Sequence, residues 1–376
     1  MNQTTETNKR RILSIGRDST IADTNSQFHA RFKEYCKFHD HTLFVLNKGE
    51  SREIKIENSV IYIVGGKSLP TAFLKTLFKV WQEARKTKYD LVTTQDVLYA
   101  GLVGFIIANL FLLPLFVQLH GDYLDNDRWF KSDVGKFNRL MNGVGKFILK
   151  RADKIRVVSD RLKKQVIANY NLEAGKIISI PIGTDTSLFT PQNDIVREPV
   201  IVFAQRLIPE KKPMLFVAVT VSILQKFPDV KVTIAGDGFL KSEMMEAYEK
   251  AGVLESVTFL GAVAQKSLVS LYQSSMCYLH TADWEGWGMP MIEAMASGCP
   301  VVTTDTGCAG EAVRDKETGL VVPIDDEAGL IKATESLFND KELWSRLSKQ
   351  GIVEASEWSF KALTKKNMEW YAGVNE

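Results

Sequence analysis

The sequence predicts an α/β protein of two domains, each built on a parallel sheet with helices on both faces. Short apolar runs alternate with helical patterns along most of the chain, and this alternation is typical of parallel sheets. In addition, a chain of 376 residues is too long for one ordinary hydrophobic core. We therefore expect two doubly wound, Rossmann-like domains.

Seven apolar runs in the first half predict buried strands, at residues 11–15, 42–46, 60–64, 91–94, 115–119, 154–158 and 177–180. Helical patterns lie between several of them, for example at residues 69–87 and 161–170. The longest apolar stretch, 101–119, is interpreted as a buried helix to about residue 110, followed by a buried strand. Gly101, Gly104, Asn109 and Pro114 interrupt it, whereas a membrane span needs about 20 apolar residues.

The second half repeats this arrangement. Strands are predicted at residues 200–203, 230–235, 257–260, 276–280 and 301–304, and helices at 213–226, 240–251 and 265–273. Residues 181–199 are rich in Pro, Gly, Asp and Thr and have no apolar period. We therefore expect one domain over residues 1–190 and another over 191–357. Ligands bind beyond the carboxyl ends of the strands in such sheets, so the reacting groups should meet in the cleft between the domains.

Composition and cysteine spacing favour a cytoplasmic protein. Hydrophobic residues make up 45% of the chain and charged residues 24%, as in soluble globular proteins. The four cysteines show neither C-x-x-C pairing nor zinc spacing, so they are interpreted as reduced thiols. The polar N-terminus has no apolar signal region, and secretion is not expected.

The net charge of +2 conceals an asymmetry between the two halves. Residues 1–196 carry 29 Lys and Arg against 20 Asp and Glu, whereas the remainder carries 18 against 25. From Arg128 to Lys164 there are twelve basic and three acidic residues, with aromatic and aliphatic residues between them. Such a segment can bind an anionic membrane surface, which would make the protein peripheral on the inner face of the membrane. The alternative is that its apolar side packs on a sheet and its lysines are solvated. We do not expect a nucleic-acid partner.

The most informative segment, residues 284–302, predicts a loop and a short helix between two buried strands. Pro290 suits the first helical position, and Gly298 suits the left-handed position after the last turn. The start of the helix would expose backbone N–H groups, which commonly bind a phosphate. Glu285 lies in the loop and Glu293 about one turn into the helix. The plainer alternative is a helix start that attracts acids, with glycines that serve only as turns.

The same loop carries Trp284, Trp287 and Met289, which are costly to leave in water without a ligand or a partner domain. Its two glutamates resemble the E-x7-E signature of the retaining, nucleotide-sugar-dependent glycosyltransferases of family four, which have the GT-B fold. This resemblance implies two Rossmann-like domains around a central cleft. It also implies a C-terminal helix, residues 358–376, that crosses back to the N-terminal domain.

Other segments that resemble the family follow other predicted strands. The run from Gln205 to Lys211 is similar to the family's G-R-L-x-x-x-K element, with Gln205 where glycine is usual. Gly236-Asp237-Gly238 matches its G-x-G, and a dinucleotide fingerprint is excluded because Lys241 occupies the third glycine position. Further matches are His120-Gly121, the region from Leu260 to Val263, the region from Gly307 to Gly319 with Cys308 in place of the second glycine, and Gly16, where relatives usually have two glycines.

The resemblance implies transfer of a sugar from a UDP- or GDP-sugar to an acceptor hydroxyl. The catalytic residues would be His120 and Glu285, which bind donor-sugar hydroxyls, together with Arg206 and Lys211 at the diphosphate. The donor-binding residues would be Gly16, Gly236, Leu260, Val263, Gly286, Trp287, Gly288, Met289 and Glu293, the last accepting hydrogen bonds from ribose hydroxyls. Because protein cations take the place of a metal ion, neither a divalent metal nor pyridoxal phosphate is expected as a cofactor. The acceptor would be a saccharide or lipid-linked saccharide of surface polysaccharide or glycolipid biosynthesis.

Several alternatives remain open at this point. A hydrolase or epimerase of the same fold would use a nucleotide sugar without an acceptor. A non-catalytic adaptor at the membrane surface would explain the basic segment but not the diphosphate-binding motifs. Asp125 and Asp127 form a D-x-D that can hold a metal-bound nucleotide, and His39 with His41 forms a weak candidate metal pair.

Overall fold

The computed structural model describes residues 9–121, 124, 135–192 and 197–373, with only the backbone described for residues 135–139. The chain divides into two compact units, Met1–Pro181 with Leu363–Glu376, and Ile182–Ala362. The boundary therefore lies after residue 181 and not after residue 190. The reason is local pairing: the Thr184 backbone N–H donates to the Trp358 carbonyl oxygen at 3.0 Å, and Phe360 donates back to Thr184 at 2.9 Å. These contacts fix residues 182–190 and 358–362 to the second unit.

Among the described residues, the first unit contains an eight-stranded sheet of order β3-β4-β2-β1-β5-β6-β7-β8. Only β3 pairs in the antiparallel sense, at the edge of the sheet. The strands are β1 Arg11–Gly16, β2 Asp40–Lys48, β3 Arg52–Ile56, β4 Ser59–Gly66, β5 Leu91–Thr94, β6 Leu115–Leu119, β7 Lys154–Val157 and β8 Ile177–Ser179. The helices are α1 Gln27–Cys36, α2 Leu69–Lys86, α3 Tyr99–Phe111, α4 Gly135–Arg151 and α5 Asp160–Tyr170, with short 3₁₀ turns at Ser19–Ala22 and Ala174–Lys176.

The second unit contains a six-stranded parallel sheet of order β11-β10-β9-β12-β13-β14, which is the Rossmann order. Its strands are β9 Glu198–Phe203, β10 Lys231–Ala235, β11 Val257–Gly261, β12 Ser275–His280, β13 Val301–Thr304 and β14 Leu320–Val322. Its helices are α6 Pro213–Lys226, α7 Lys241–Lys250, α8 Gln265–Ser274, α9 Met289–Ala296, α10 Glu327–Asn339 and α11 Lys341–Glu357, with 3₁₀ turns at Pro209–Lys211 and Leu254–Ser256. The prediction of two Rossmann-like parallel-sheet domains is confirmed.

The last helix, α12 Phe360–Ala372, packs on the sheet of the first unit, as the resemblance implied. Its Trp370 is 2% exposed and lies against Phe116, with ring centroids 5.1 Å apart. The Tyr371 hydroxyl accepts a hydrogen bond from Gln118 Nε2 at 3.0 Å, and Gln118 in turn accepts from the buried Arg156 guanidinium at 2.9 Å. Apolar burial and a polar network therefore both fix the terminal helix to this unit.

The apolar stretch from Gly101 onward forms helix α3 and strand β6, as predicted. Leu112 ends the helix in the left-handed conformation, with φ of 54°. Within the part of the chain that the structure describes, no helix combines the length and apolar character needed to cross a membrane.

His39 and His41, considered above as a weak metal pair, are instead packed in the core of the first unit. Both rings lie edge-on to Tyr371, with centroids 6.3 Å and 5.8 Å away. His41 is 2% exposed, and its Nδ1 lies 3.2 Å from the Ser14 hydroxyl. Burial, followed by the nearby His39, lowers the pKa of His41 to about 3. His41 is therefore held neutral in the folded protein.

The burial of His41 predicts a pH-dependent loss of stability. An unfolded histidine binds a proton below its ordinary pKa of 6.5, whereas folded His41 binds one only near pH 3, so stability is lost as the pH falls below 6.5. Between pH 6.5 and 5 this group should contribute about 2 kcal/mol to the fall in free energy of unfolding. Urea unfolding at the two pH values measures it, with His41→Phe as the variant that cannot titrate. An identical pH dependence in His41→Phe and wild type would contradict this assignment.

Candidate functional site

The candidate site in the second unit lies where the sheet reverses its strand order. Strands β9 and β12 are neighbours, but the chain leaves them in opposite directions across the sheet. This arrangement opens a crevice beyond their carboxyl ends, where doubly wound proteins bind ligands. Residues 204–212 follow β9 and residues 281–288 follow β12, so the two predicted motif loops lie side by side.

Two hydrogen bonds, one from a side chain and one from the backbone, join these two loops. The Thr281 hydroxyl donates to the carbonyl oxygen of Lys211 at 3.0 Å, and the Asp283 backbone N–H donates to Glu210 at 3.2 Å. Thr281 is fully buried. The first loop is thus held in place by the second, and their side chains are brought to one position.

Lys211 and Glu285 form an ion pair at this position, with Lys211 Nζ donating to Glu285 Oε2. Their side chains are only 10% and 18% exposed, so water screens the pair weakly. The other carboxylate oxygen of Glu285 accepts from the Gly286 backbone N–H at 3.2 Å. The structure therefore brings two of the four predicted catalytic residues into direct contact.

Glycines set the course of the loop from Glu285 to helix α9. Gly288 precedes the helix with φ of 92°, a left-handed conformation that L side chains rarely adopt. Pro290 lies in the first turn of α9, where no N–H is required of it. A Cβ on Gly307 would lie 2.6 Å from the Trp287 carbonyl oxygen and 2.9 Å from Glu285 Cγ. The next residue, Cys308, donates its N–H to that carbonyl at 2.8 Å.

Trp287, which we expected to need a ligand or a partner domain to shield it from water, is shielded within the second unit itself. Its side chain is 2% exposed and packs against Trp358, with ring centroids 4.8 Å apart. The indole is therefore part of the fold, and only the backbone of Trp287 remains as a possible donor contact. Trp284 and Met289 are half-buried.

Glu293 is 5% exposed in helix α9 and belongs to a buried polar cluster behind the loop. Burial, together with the charges of Glu285 and Glu293, raises the pKa of Tyr278. The Tyr278 hydroxyl lies 3.2 Å from Nδ1 of His280, whose pKa is lowered by burial and by Lys211. Sequence reasoning missed Tyr278 and His280. Tyr278 and His280 are two residues apart in β12, so both side chains lie on the same face of the strand. This spacing is the feature of the sequence that could have identified them.

Gln205 occupies the end of β9, where the family usually has glycine. It is 9% exposed, and its amide lies beside the Tyr278 hydroxyl, although neither amide atom has a hydrogen-bond partner of normal geometry among the described residues. The backbone of Gln205 is in close contact with the next loop: a Cβ on Gly236 would lie 1.8 Å from the Gln205 carbonyl oxygen. A side chain at Gly238 would similarly meet Leu207, 2.3 Å from its carbonyl oxygen.

Arg206, a predicted catalytic residue, and the predicted donor-binding residues Leu260 and Val263 lie at or near the surface of this unit. Arg206 is exposed at the end of β9. Leu260 is 46% exposed and Val263 is half-buried, both at or just beyond the end of edge strand β11. Strand β11 is two positions from β9, a separation of about 10 Å. Arg206 and Leu260 therefore lie at the ends of strands that are about 10 Å apart, a distance that an extended ligand can span.

Gly16 and His120 belong to the first unit, at the equivalent reversal of its sheet. Gly16 ends β1, and a Cβ there would lie 2.1 Å from Gln95 Oε1, just after β5. His120 follows β6, the next strand, and its buried Nδ1 has no hydrogen-bond partner in the described part of the chain. Burial, then Arg156 and Arg31, lower the pKa of His120 to about 3. His120 is therefore neutral at physiological pH.

The described residues contain no group of three His, Cys, Asp or Glu side chains arranged to hold a metal ion. The D-x-D at Asp125 and Asp127 lies outside the described residues, as does Asp122.

Two family models match the chain. The model for Glycosyltransferase Family 4 matches residues 33–188, and the model for Glycosyl transferases group 1 matches residues 186–353. Together they account for both units. The chain belongs to the family-four glycosyltransferases of GT-B fold.

Over the aligned residues, relatives with assigned activities are about a quarter identical to this glycosyltransferase. The D-inositol 3-phosphate glycosyltransferase of Nocardia farcinica is 26% identical over 313 residues, which are 78% of this chain and 69% of the relative. The lipopolysaccharide core biosynthesis mannosyltransferase LpsB of Rhizobium meliloti is 28% identical over 236 residues, 58% of this chain and 65% of the relative.

Solved structures of the same fold cover nearly the whole glycosyltransferase. Sucrose-phosphate synthase from Thermosynechococcus elongatus superposes with a TM-score of 0.80 at 19% identity, covering 97% of this chain and 99% of that one. Anabaena HepE in complex with UDP-glucose superposes with a TM-score of 0.76 at 18% identity, covering 97% and 100%. At these identities the likeness establishes the fold.

The close contact at Gly236 predicts that this glycosyltransferase tolerates no side chain there. In Gly236→Ala the new Cβ must displace the Gln205 carbonyl, so we expect a loss of about 1–3 kcal/mol in free energy of unfolding. Gly175→Ala is the matched control, because a Cβ at Gly175 meets nothing within 4 Å and its φ is not left-handed. Urea unfolding measures both variants. Equal stability of the two variants would rule out the contact.

Proposed function

We propose that this glycosyltransferase moves a sugar from a UDP- or GDP-sugar to an acceptor hydroxyl and retains the anomeric configuration. The observation that carries the proposal is the buried Lys211–Glu285 pair beside the start of helix α9, at the reversal of the sheet. A cation and a carboxylate are thus positioned together where a diphosphate and a sugar would meet. The names of related proteins support the choice of donor, since HepE was solved with UDP-glucose and LpsB is called a mannosyltransferase.

The diphosphate leaves with the bonding electron pair, so its developing charge must be stabilised. Lys211 supplies a compact positive charge, Arg206 a planar fork of donors, and the N-terminus of helix α9 the positive end of the helix dipole. We infer that the incoming diphosphate competes with Glu285 for Lys211. Glu285 is then free to accept hydrogen bonds from hydroxyls of the donor sugar. The buried Glu293 would accept from ribose hydroxyls.

His120 would contribute as a neutral imidazole. With its pKa near 3 it carries no charge at pH 7, so it can donate one hydrogen bond and accept another. One of these hydrogen bonds would join the imidazole to a hydroxyl of the donor sugar. Because Lys211 and Arg206 supply the positive charge, the proposed reaction needs neither a divalent metal nor pyridoxal phosphate.

The acceptor in this proposal is a saccharide or lipid-linked saccharide, and the pathway is surface polysaccharide or glycolipid assembly. The names of the relatives support this class, because they refer to an inositol phosphate and to the lipopolysaccharide core. One control distinguishes the hydrolase or epimerase alternative from a transferase: an assay without acceptor. A hydrolase or epimerase would consume the donor at the same rate in that assay.

The donor-site proposal predicts selective stabilisation by one nucleotide series. A donor at 100 times its dissociation constant should stabilise the folded protein by about 2.7 kcal/mol, which a thermal shift detects. We expect UDP- or GDP-sugars to give this shift and Glu293→Ala to lose it. Glu357→Ala, at an exposed position of helix α11, is the matched control and should keep it. The absence of a shift with every UDP-, GDP- and ADP-sugar would refute the donor site.

The role of Lys211 predicts a catalytic defect confined to one of two adjacent lysines. Lys211→Met keeps the length of the side chain and removes its charge, so kcat/KM should fall about 10²- to 10³-fold. Lys212→Met is the matched control: Lys212 pairs with Asp325 at the surface, and its loss should change the rate little.

The same assays test metal use and stereochemistry. Turnover should persist in a chelator, and proton NMR of the product should show the anomeric configuration of the donor. A requirement for added metal, an inverted product, or equal rates for the two lysine variants would each contradict part of the proposal.

A further inference from the structure

Seven exposed apolar side chains lie on three adjacent helices of the first unit. Helix α3 packs beside α2 and α4, so the outer surfaces of the three helices are continuous. Of the thirteen large hydrophobic side chains exposed in the described part of the chain, seven are on these helices or at their ends. They are Leu74, Phe78, Ile106, Leu110, Leu112, Leu140 and Phe147. We refer to these seven residues, together with the basic residues Lys75, Lys79, Arg85, Lys86, Lys146, Lys150 and Arg151, as the basic apolar face.

The exposed residues of this face are not the ones that hold the helices on the sheet. In α2 the buried side chains are Ala72, Thr76 and Val80, whereas Leu74 is 63% exposed and Phe78 is 56% exposed. In α4, Ile148 and Leu149 are buried while the neighbouring Phe147 is 46% exposed. Packing on the sheet therefore does not explain why these outward positions are apolar, although the Phe147 ring also lies edge-on to Phe105 of α3, with centroids 5.4 Å apart.

Aromatic rings on this face are combined with arginines. The Arg85 guanidinium lies over Trp81, 4.9 Å from the ring centroid, and Trp81 stacks on Phe78. The Arg151 guanidinium lies 4.9 Å from the centroid of Phe147. Such pairs present an apolar ring and a positive charge at the same depth, which suits the boundary between lipid headgroups and acyl chains.

Nearly all the charged residues of the three helices are basic. Helices α2, α3 and α4 together carry nine Lys and Arg and a single acid, Glu83. Lys75 and Lys79 alternate with Leu74 and Phe78 and are exposed. A second copy of this chain would bring the same positive charge, so repulsion disfavours a dimer through this face. Its charge is complementary to an anionic surface.

We propose that the basic apolar face binds the surface of an anionic lipid bilayer. Each basic residue near such a surface contributes about 1 kcal/mol, and the exposed leucines and phenylalanines would enter the headgroup region. The helices would lie along the membrane plane without crossing it. The inference goes beyond the proposed function, since it requires neither donor nor acceptor.

The face differs from the segment that the sequence indicated. Of that segment, from Arg128 to Lys164, residues 128–134 lie outside the described residues. The remainder contributes Leu140 and Phe147, while its Ile148 and Leu149 pack inward. Helices α2 and α3 supply the other five exposed apolar side chains, so the surface is assembled by the fold.

Sedimentation of the full-length protein with lipid vesicles tests this proposal. We expect binding to vesicles that contain roughly one third phosphatidylglycerol, and weak binding to pure phosphatidylcholine. Binding should weaken between about 0.1 M and about 1 M salt, because charges are screened over about 3 Å at the higher value. Lys75→Glu with Lys79→Glu should weaken binding about 30-fold or more. Leu74→Ser with Phe78→Ser should weaken it about tenfold or more.

Lys349→Glu with Val353→Ser is the matched control, because both residues are exposed on helix α11 of the other unit. This control should bind vesicles like the wild type. Equal binding to neutral and anionic vesicles, or wild-type binding by both face variants, would overturn the proposal. So would a lipid-free dimer, seen by sedimentation equilibrium, that the face variants abolish. The donor-induced thermal shift separates the two proposals, since the face variants should retain it.

Discussion

Close contact between backbone loops is the constraint on which the candidate site depends. Three glycines in the second unit, Gly236, Gly238 and Gly307, each lie where a Cβ would collide with a carbonyl oxygen of the neighbouring loop. The loop after β10 therefore meets the loop after β9 backbone to backbone, and the loop after β13 meets the loop after β12. The side chains of Lys211 and Glu285, which these loops carry, are 10% and 18% exposed, so water screens their attraction less than at an open surface. The position of the ion pair thus depends on glycines, because a side chain at these positions would push the loops apart.

The polar cluster behind the loop, in contrast, depends on buried side chains that ionise with difficulty. Tyr278 and His280 extend from the buried strand β12 toward the charges of Glu285, Glu293 and Lys211. Burial disfavours ionisation of either group, so the tyrosine stays protonated and the histidine stays neutral. Neither Tyr278 nor His280 therefore adds a charge beside the ion pair of Lys211 and Glu285.

Much of this arrangement was predictable because local rules determine it. Alternating apolar runs predicted both sheets, and Gly298 indeed follows helix α9 with φ of 73°. Strand β3 was missed because its edge position leaves most of its side chains partly exposed, and β14 because it has three residues. The packing of Trp287 inside its own unit was not predicted, because it depends on Trp358, which is distant in sequence. The basic apolar face could not be read from one segment, since three helices build it. Sequence patterns report on neighbouring residues, so they did not predict these contacts between residues that are distant in the sequence.

The Trp287–Trp358 contact gives the candidate loop a mechanical link to the points where the chain passes between units. Trp358 lies just before helix α12, and its carbonyl oxygen accepts from Thr184, just after the first crossing of the chain. Phe360 donates back to Thr184, and a Cβ on Gly183 would lie only 3.0 Å from the Phe360 Cα. Both crossing segments are thus paired with each other, and the buried indole of Trp287 packs on one of them. Displacing the loop from Glu285 to Gly288 away from these segments would expose the almost fully buried indole of Trp287. The contact between the two indoles therefore restrains the loop.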